Sequence, residues 1–308
     1  MLTFGPDEND FLMKPWIEAF RLRTLPLSLS CIGMAGFLAA VAGKFNGLIF
    51  GLCCLTTIFL QILSNLANDY GDSIHGADHA GRKGPLRAVQ SGAISATQMR
   101  DAVIAFSVLS VVSGISLLWI SFGTNWNAIF FFFGLGLLCI AAAIGYTVGK
   151  KPYGYIGLGD ISVLIFFGLV GVMGSYYLFT HQLSWREALP ALSCGLFSIA
   201  VLNINNIRDI ESDKTAGKFS IPVRIGKANA TIYHWVLLIS GVSAAVIYTV
   251  LNYQSPFQFL FLLSLPLFIK NGMAISSKPS AELDPFLKQM ALSTLLFVVL
   301  FGTGYLLA

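Results

Sequence analysis

Two short stretches concentrate groups able to hold a hard cation. One reads Asn65-Leu66-Ala67-Asn68-Asp69-Tyr70-Gly71-Asp72, with Asp78 following; the other reads Asn205-Asn206-Ile207-Arg208-Asp209-Ile210-Glu211-Ser212-Asp213. Together they hold six of the 15 acidic residues in the chain. On a helix, Asn65, Asn68, Asp69 and Asp72 fall within an arc of roughly 100°, and Asn205, Asp209 and Asp213 within about 80°. Each stretch therefore presents a polar stripe in one direction. Carboxylates about 4 Å apart repel by ~4 kcal/mol at an effective dielectric near 20, so two such stripes facing each other need a positive counterweight. Carboxylate and amide oxygens suit Mg²⁺, which keeps part of its water shell and binds phosphate oxygens of a substrate. The neighbouring bases Arg82, Lys83, Arg87, Lys150, Lys151, Arg208, Lys214, Lys218 and Arg224 suit a phosphate or diphosphate anion. Loop acids and bases also simply solvate helix ends. Two matching Asn/Asp stripes argue against that simpler reading, because Asn residues one turn inside apolar runs are costly without partners.

The elements that carry these stripes are membrane helices. Of 308 residues, 56% are apolar, 13% aromatic and 11% charged, and the mean hydropathy is +0.74. A soluble domain carries about a quarter charged residues, so too little polar surface exists here to cover a water-soluble globule. A crossing needs about 20 apolar residues. The runs free of Asp, Glu, Lys and Arg are 24–43, 45–68, 102–149, 161–185, 188–207, 228–269 and 289–308. The two long runs break at Gly123-Thr124-Asn125 and at Asn252-Tyr253-Gln254-Ser255-Pro256. Nine spans are expected, near 24–43, 46–68, 102–122, 126–148, 158–180, 188–207, 229–251, 256–276 and 287–307. They form one all-α, polytopic domain over 24–308, after a cytoplasmic N-terminal segment, 1–23. A β-barrel would show alternating segments of ~10 residues, which are absent.

This count places 17 of the 19 Lys and Arg on one side, leaving Lys44 and Arg186 opposite. By the positive-inside rule that side is cytoplasmic and the C-terminus is outside, as in a multi-pass protein of the cell (inner) membrane. Both acidic stretches then sit at the cytoplasmic ends of spans 2 and 6, as though four-helix units repeated. The net charge of +4 is a topology signal, and no stretch suggests nucleic-acid binding. No removable signal peptide is expected. The five cysteines lie in expected spans without a CxxC pair and read as small buried residues.

Smaller features leave alternatives open. His75 and His79 have ligand spacing, but around a loop glycine. Asp160, which starts span 5 in Gly157-Leu158-Gly159-Asp160, is either functional or a helix cap. Tyr146, Tyr153 and Tyr155 suit either a cation at their ring faces or an interfacial aromatic belt. Phe130 to Phe133 cover every helix face and read as lipid and core contacts.

The chain resembles the UbiA superfamily of membrane prenyltransferases. The family's NDxxD signature is matched by Asn68, Asp69 and Asp72, with Asp78 displaced from the usual position of the next acid, now Gly76; its DxxxD signature is matched by Asp209 and Asp213. Within the family, the segments "RLRTLPLSL", "LQILSNLANDYGD", "GPLRAVQSG", "YTVGKKPYGYIGLGDISVLIFFG" and "VLNINNIRDIESDKTAGK" are most similar to the branch acting on 1,4-dihydroxy-2-naphthoate in menaquinone synthesis. The resemblance implies nine helices around a central cavity and Mg²⁺-dependent transfer of a polyprenyl group from its diphosphate to that acceptor, with loss of CO₂. Asn68, Asp69, Asp72, Asp78, Asn205, Asp209 and Asp213 are the expected metal site, with Asp72, Asp209 and Asp213 central to catalysis. Arg87, Lys151, Arg208 and Lys214 are expected on the diphosphate, Tyr146 facing the developing carbocation, and Arg23 and Asp160 near the acceptor. No obligatory protein partner is implied. Other acceptors, 4-hydroxybenzoate among them, and a cation-coupled transporter are the competing readings. A transporter's site would lie near the midplane on broken helices rather than at helix ends.

Overall fold

The computed structural model describes residues 8–75 and 87–308, and among these residues there are helices and no strand. The chain runs through α1 (Glu8–Phe20), α2 (Leu25–Val41), α3 (Gly47–Ile74), α4 (Ala96–Phe122) and α5 (Trp126–Gly145). It continues through α6 (Gly159–Val163), a wider π-type segment (Leu164–Gly174) and α7 (Ser175–Thr180), which follow one another without a gap. Then come α8 (Ala188–Arg208), α9 (Ile210–Thr215), α10 (Ile221–Leu251), a 3-10 segment (Pro256–Ser264), α11 (Leu265–Ser277) and α12 (Asp284–Leu306). Nine helical stretches among the described residues are long and apolar enough to cross a membrane. This is the all-helical polytopic architecture expected from the charge-free runs.

Local sequence sets the ends of these helices. Asn46 caps α3 by accepting from the backbone N–H of Leu48 and Ile49. Ser95 and Gln98 form a reciprocal cap at α4, and Asn125 caps α5. The Asn-Tyr-Gln-Ser-Pro break ends α10 and starts the next crossing through a second reciprocal cap, Ser255 with Gln258. Between helices in lipid the hydrophobic effect provides little drive, so close approach of small residues matters. A Cβ on Gly168 would lie 2.9 Å from the Ala191 carbonyl oxygen and 3.3 Å from Gly195 Cα, which is why the π-type segment packs directly on α8.

The main core joins α2, α8, α10, α11 and α12 around Met34, Phe197, Phe261, Phe297 and Phe301. A smaller core around Leu63, Leu66 and Met99 joins α3 to α4. No residue of α5 is fully buried, and Phe130 and Phe131 are each 68% exposed, the surface of a lipid-facing helix. Phe132 and Phe133 turn instead to the core and to an internal cavity. Inside the C-terminal bundle, His234 on α10 meets Asn271 on α11 at 2.9 Å, and Asn271 donates to Gln289 on α12. These polar groups satisfy one another where water is excluded.

Candidate active site

The first acidic stripe lies on the last turns of α3. Gly71 allows that helix to press on the segment after α5, for a Cβ there would sit 2.6 Å from the Thr147 carbonyl. Thr147 returns a hydroxyl hydrogen bond to the Ala67 carbonyl at 3.0 Å and another to the Asn68 side-chain oxygen at 3.3 Å. Asp72, 2% exposed, accepts from the Tyr155 hydroxyl at 2.7 Å and from Arg87 Nη1 at 2.5 Å. Arg87 also donates to the Asn68 carbonyl at 3.0 Å and stands 3.7 Å from Asp69. Asp69 is ion-paired with Arg21, which adopts the left-handed backbone conformation at φ 48°. A non-glycine residue in that region is uncommon and costs free energy; here the turn carries the guanidinium to Asp69. Asn65 ties α3 to the same turn through the Phe20 carbonyl at 2.9 Å and Thr24 at 3.2 Å.

The second stripe straddles a helix break. Asp209 ends α8 and precedes α9. Arg208, 2% exposed, holds Asp209 in a fork, Nε to Oδ1 at 2.9 Å and Nη2 to Oδ2 at 2.7 Å. The same guanidinium donates to Asn205 Oδ1 at 2.8 Å and to Asp284 at 2.5 Å, and Asp284 also accepts from Arg23 at 2.6 Å. One short N-terminal turn thus reaches both stations, Arg21 to the first and Arg23 to the second by way of Asp284. After α9, Gly217 takes φ 71°, a left-handed turn that only glycine makes without strain. The chain doubles back there, and the Lys218 N–H bonds to the Asp213 carbonyl at 2.8 Å.

Lys218, only 6% exposed, joins the two stations. Its ammonium is 3.4 Å from Asp213 Oδ1 and 6.0 Å from the Tyr155 ring centre. Burial favours loss of its proton, yet the charges of Asp213 and then Asp72 outweigh burial and raise its pKa. Burial pushes the Asp213 carboxyl up to about 6; Lys218 opposes this, and Asp209 and Asp72 add to it. Burial likewise raises the Tyr146 hydroxyl to about 12. Lys218 thus pairs with Asp213 while lying over the ring whose hydroxyl holds Asp72, and Asn68, Asp72 and Asn205 line one cavity, so the ends of α3 and α8–α9 face each other.

Asn68, Asp72 and Asn205, with Asp213 close by, offer hard oxygens of the type that Mg²⁺ takes. Asp213 Oδ2 is buried without a hydrogen-bond partner among the described residues, which leaves one ligand position open. No three His, Cys, Asp or Glu side chains converge on a single point among the described residues. A cation here would complete its shell with amide, water and substrate oxygens, the usual manner of Mg²⁺. The residues fit such an ion.

Asn68, Asp72, Arg87, Tyr146, Asn205 and Lys218 lie in the wall of a cavity of about 420 Å³. Elsewhere its wall is largely apolar, with Phe132 and Phe133 of α5 and Phe166, Phe167 and Val170 of the π-type segment. The arrangement can hold a polyanion at one end and a long apolar chain along the rest.

The structure separates the sequence-derived candidates. Asn68, Asp72, Asn205, Tyr146, Arg87 and Arg23 line this cavity; Asp69, Asp209 and Asp213 do not. Lys151 is exposed and does not line it, and Lys214 and Arg208 line a different cavity. Asp160 accepts from Tyr233 at 2.7 Å and is not in the cavity wall. Asp78, with His79, Arg82 and Lys83, lies outside the described residues. Lys218 is central but was visible in the sequence only as one of many flanking bases, because the Gly217 turn removes it from the helical stripe. Arg21 and Asp284 gave no signal beyond their charge.

Residues 29–305 match the UbiA prenyltransferase family. The chain is 48% identical over 300 residues to a 1,4-dihydroxy-2-naphthoate octaprenyltransferase of Haemophilus influenzae, covering 96% of each chain. It is 44% identical over 294 residues to the Escherichia coli protein of the same name, covering 95% of each. Among solved structures, a UbiA homologue from Aeropyrum pernix superposes with a TM-score of 0.66 at 18% identity, over 94% of this chain and 98% of that one. A UbiA homologue from Archaeoglobus fulgidus, bound to DMAPP and Mg²⁺, gives 0.58 at 17% identity, over 91% and 98%.

Proposed function

Since the chain belongs to the UbiA prenyltransferase family, we propose that it transfers a polyprenyl group from polyprenyl diphosphate to 1,4-dihydroxy-2-naphthoate, releasing diphosphate and CO₂ and giving demethylmenaquinone in its reduced, 1,4-diol form. It does so in the inner membrane, with its acidic stations on the cytoplasmic side. The observation that carries this reading is Lys218, paired with Asp213 and lying over the Tyr155 ring whose hydroxyl donates to Asp72, at the polar end of a 420 Å³ cavity with largely apolar walls.

On this reading each part has a task. Asn68, Asp72 and Asp213, with Asn205, would hold Mg²⁺. Bound there, the ion supplies positive charge to the diphosphate oxygens as the allylic C–O bond breaks. Arg87 and Lys218, paired here with Asp72 and Asp213, would donate to the same oxygens. Arg208 and Arg21 fix Asp209 and Asp69 and so hold the two stations in register. The Phe-rich wall receives the prenyl chain and keeps water from the allylic cation. Tyr146 presents an aromatic ring in the same cavity, where its π face stabilises positive charge. The electron-rich ring of the acceptor attacks the allylic carbon through the carbon bearing its carboxylate. The C–O electron pair leaves with the diphosphate before the new C–C bond forms; the neighbouring hydroxyl gives up its proton as the attacked ring carbon becomes tetrahedral, and the C–CO₂ electrons then return to the ring as CO₂ leaves and the oxygen regains a proton. Arg23, in the cavity wall and half-occupied by Asp284, is the base offered to the acceptor carboxylate.

The test is incubation of purified protein with a labelled polyprenyl diphosphate and Mg²⁺, offering 1,4-dihydroxy-2-naphthoate and 4-hydroxybenzoate separately. Label is expected only in the naphthoate product. Transfer to 4-hydroxybenzoate alone refutes the acceptor assignment.

A further inference from the structure

A second cavity, of about 300 Å³, shares no lining residue with the first. Its wall holds three bases, Arg208, Lys214 and Lys227, against one acid, Glu211. The Lys214 side chain is exposed, and its ammonium has no ion-pair or hydrogen-bond partner among the described residues. Lys227 donates to the Lys278 carbonyl at 2.8 Å, which leaves two of its three N–H donors unassigned. Gly226, where α10 leaves helical geometry at φ 77°, ψ 162°, also lines it. Ile207, Ile210 and Val223 supply the apolar part. With Arg208 already paired to Asp209 and Asp284, Lys214 and Lys227 against Glu211 still leave the recess cationic, which favours a compact oxyanion.

The geometry points to a second site, for a phosphate-class anion, which acts on the first through Arg208. The argument rests on the prenyl-transfer reading for one thing only: each turnover would release such an anion, inorganic diphosphate. Arg208 borders the second cavity while its guanidinium holds Asp209, Asn205 and Asp284 at 2.5–2.9 Å. An anion beside Lys214 and Lys227 competes with Asp209 and Asp284 for that guanidinium. Occupancy therefore loosens the second station without blocking the place of the prenyl diphosphate. The expected effect is a lower kcat, on top of the direct competition that diphosphate exerts in the first cavity.

The experiment uses the full-length protein in nanodiscs of zwitterionic lipid at fixed free Mg²⁺. Initial rates are measured against polyprenyl diphosphate at several concentrations of inorganic diphosphate. Mixed inhibition is expected, with kcat falling at least twofold at the highest inhibitor concentration. Lys227→Met is expected to keep the uninhibited rate within about twofold and to convert the pattern to pure competition, while Lys227→Arg keeps it mixed. Purely competitive inhibition of the unaltered protein, or mixed inhibition unchanged in Lys227→Met, overturns the proposal. A parallel set with anionic phospholipid in the nanodisc identifies the source. A kcat depressed by that lipid and restored by Lys227→Met supports the site with a lipid headgroup as its occupant. If no prenylated product forms at all, the functional reading fails separately. Phosphorus NMR of inorganic diphosphate with EDTA then decides the site alone: broadening lost in Lys227→Met supports it, and no broadening overturns it.

Discussion

Replacing Lys218 by Met separates a working cation from a structural one. In the free protein its ammonium sits 3.4 Å from Asp213 Oδ1, a direct attraction of about 5 kcal/mol at an effective dielectric of 20. A divalent ion on the open Oδ2 of the same carboxylate is repelled by that ammonium and shares its anion, so the lysine competes with the metal even as, on the proposed reading, it serves the diphosphate. Most of the attraction is offset by the cost of keeping both charges out of water. Removing the ammonium is therefore expected to tighten apparent Mg²⁺ affinity by about one power of ten, a net 1–2 kcal/mol on that scale. Turnover moves the other way. Loss of one preorganised donor to a developing oxyanion costs roughly 10²–10³ in kcat. The assay is initial rate against free Mg²⁺ at saturating prenyl diphosphate, with isothermal titration of Mg²⁺ into the same preparation. A merely structural lysine would weaken both quantities together. If Lys218→Met turns over within about threefold of the unaltered protein, or binds Mg²⁺ more weakly, the account of the site is wrong.

Asp72→Asn and Asp213→Asn are each expected to lower kcat by about 10³, the few kcal/mol that metal-assisted charge stabilisation supplies; chelation with EDTA followed by Mg²⁺ re-addition should abolish and restore the rate, and chelator-resistant turnover would argue against the metal. Tyr155→Phe removes the 2.7 Å hydroxyl donor from Asp72, a hydrogen bond to a charged group worth roughly 1.5–3 kcal/mol, so kcat/KM should fall about 10- to 100-fold while far-UV circular dichroism stays unchanged. Gly71→Ala drives a methyl to 2.6 Å from the Thr147 carbonyl, an overpacking cost of about 1–3 kcal/mol, and should lower the thermal midpoint in detergent by several degrees. A midpoint unchanged in that variant would mean that α3 does not press on the Thr147 segment as described.

Much of the fold was legible in the chain, because a membrane makes charge placement almost deterministic. An apolar run of 20 residues in lipid must become a helix to satisfy its own backbone, and the breaks at Asn125 and Ser255 carry side chains that cap the next helix. The stripes were legible for the same reason. Asn65, Asn68, Asp69 and Asp72 lie on one continuous helix, α3, and helical projection brings Asn65, Asn68 and Asp72 to the cavity while Asp69 pairs with Arg21. It works less well on the second stripe. Asp209 breaks the helix that the i, i+4, i+8 spacing assumes, and a left-handed glycine turn then brings Lys218 back over Asp213.

What the residues fixed by themselves is a polytopic helical protein with two oxygen-rich stations, because hydropathy and helical spacing act over a few turns of chain. Which base meets which acid was decided only in three dimensions. Arg21 reaches across 48 positions to Asp69, and Arg208 across 76 to Asp284, while Lys151 stays on the surface and Lys214 turns to another cavity. Lys and Arg side chains are long and flexible, so their position along the chain does not fix where their charge resides. That is set by the packing of α3 on the Thr147 segment and of α8 on the π-type segment, which decides which carboxylates lose water and must find a cation.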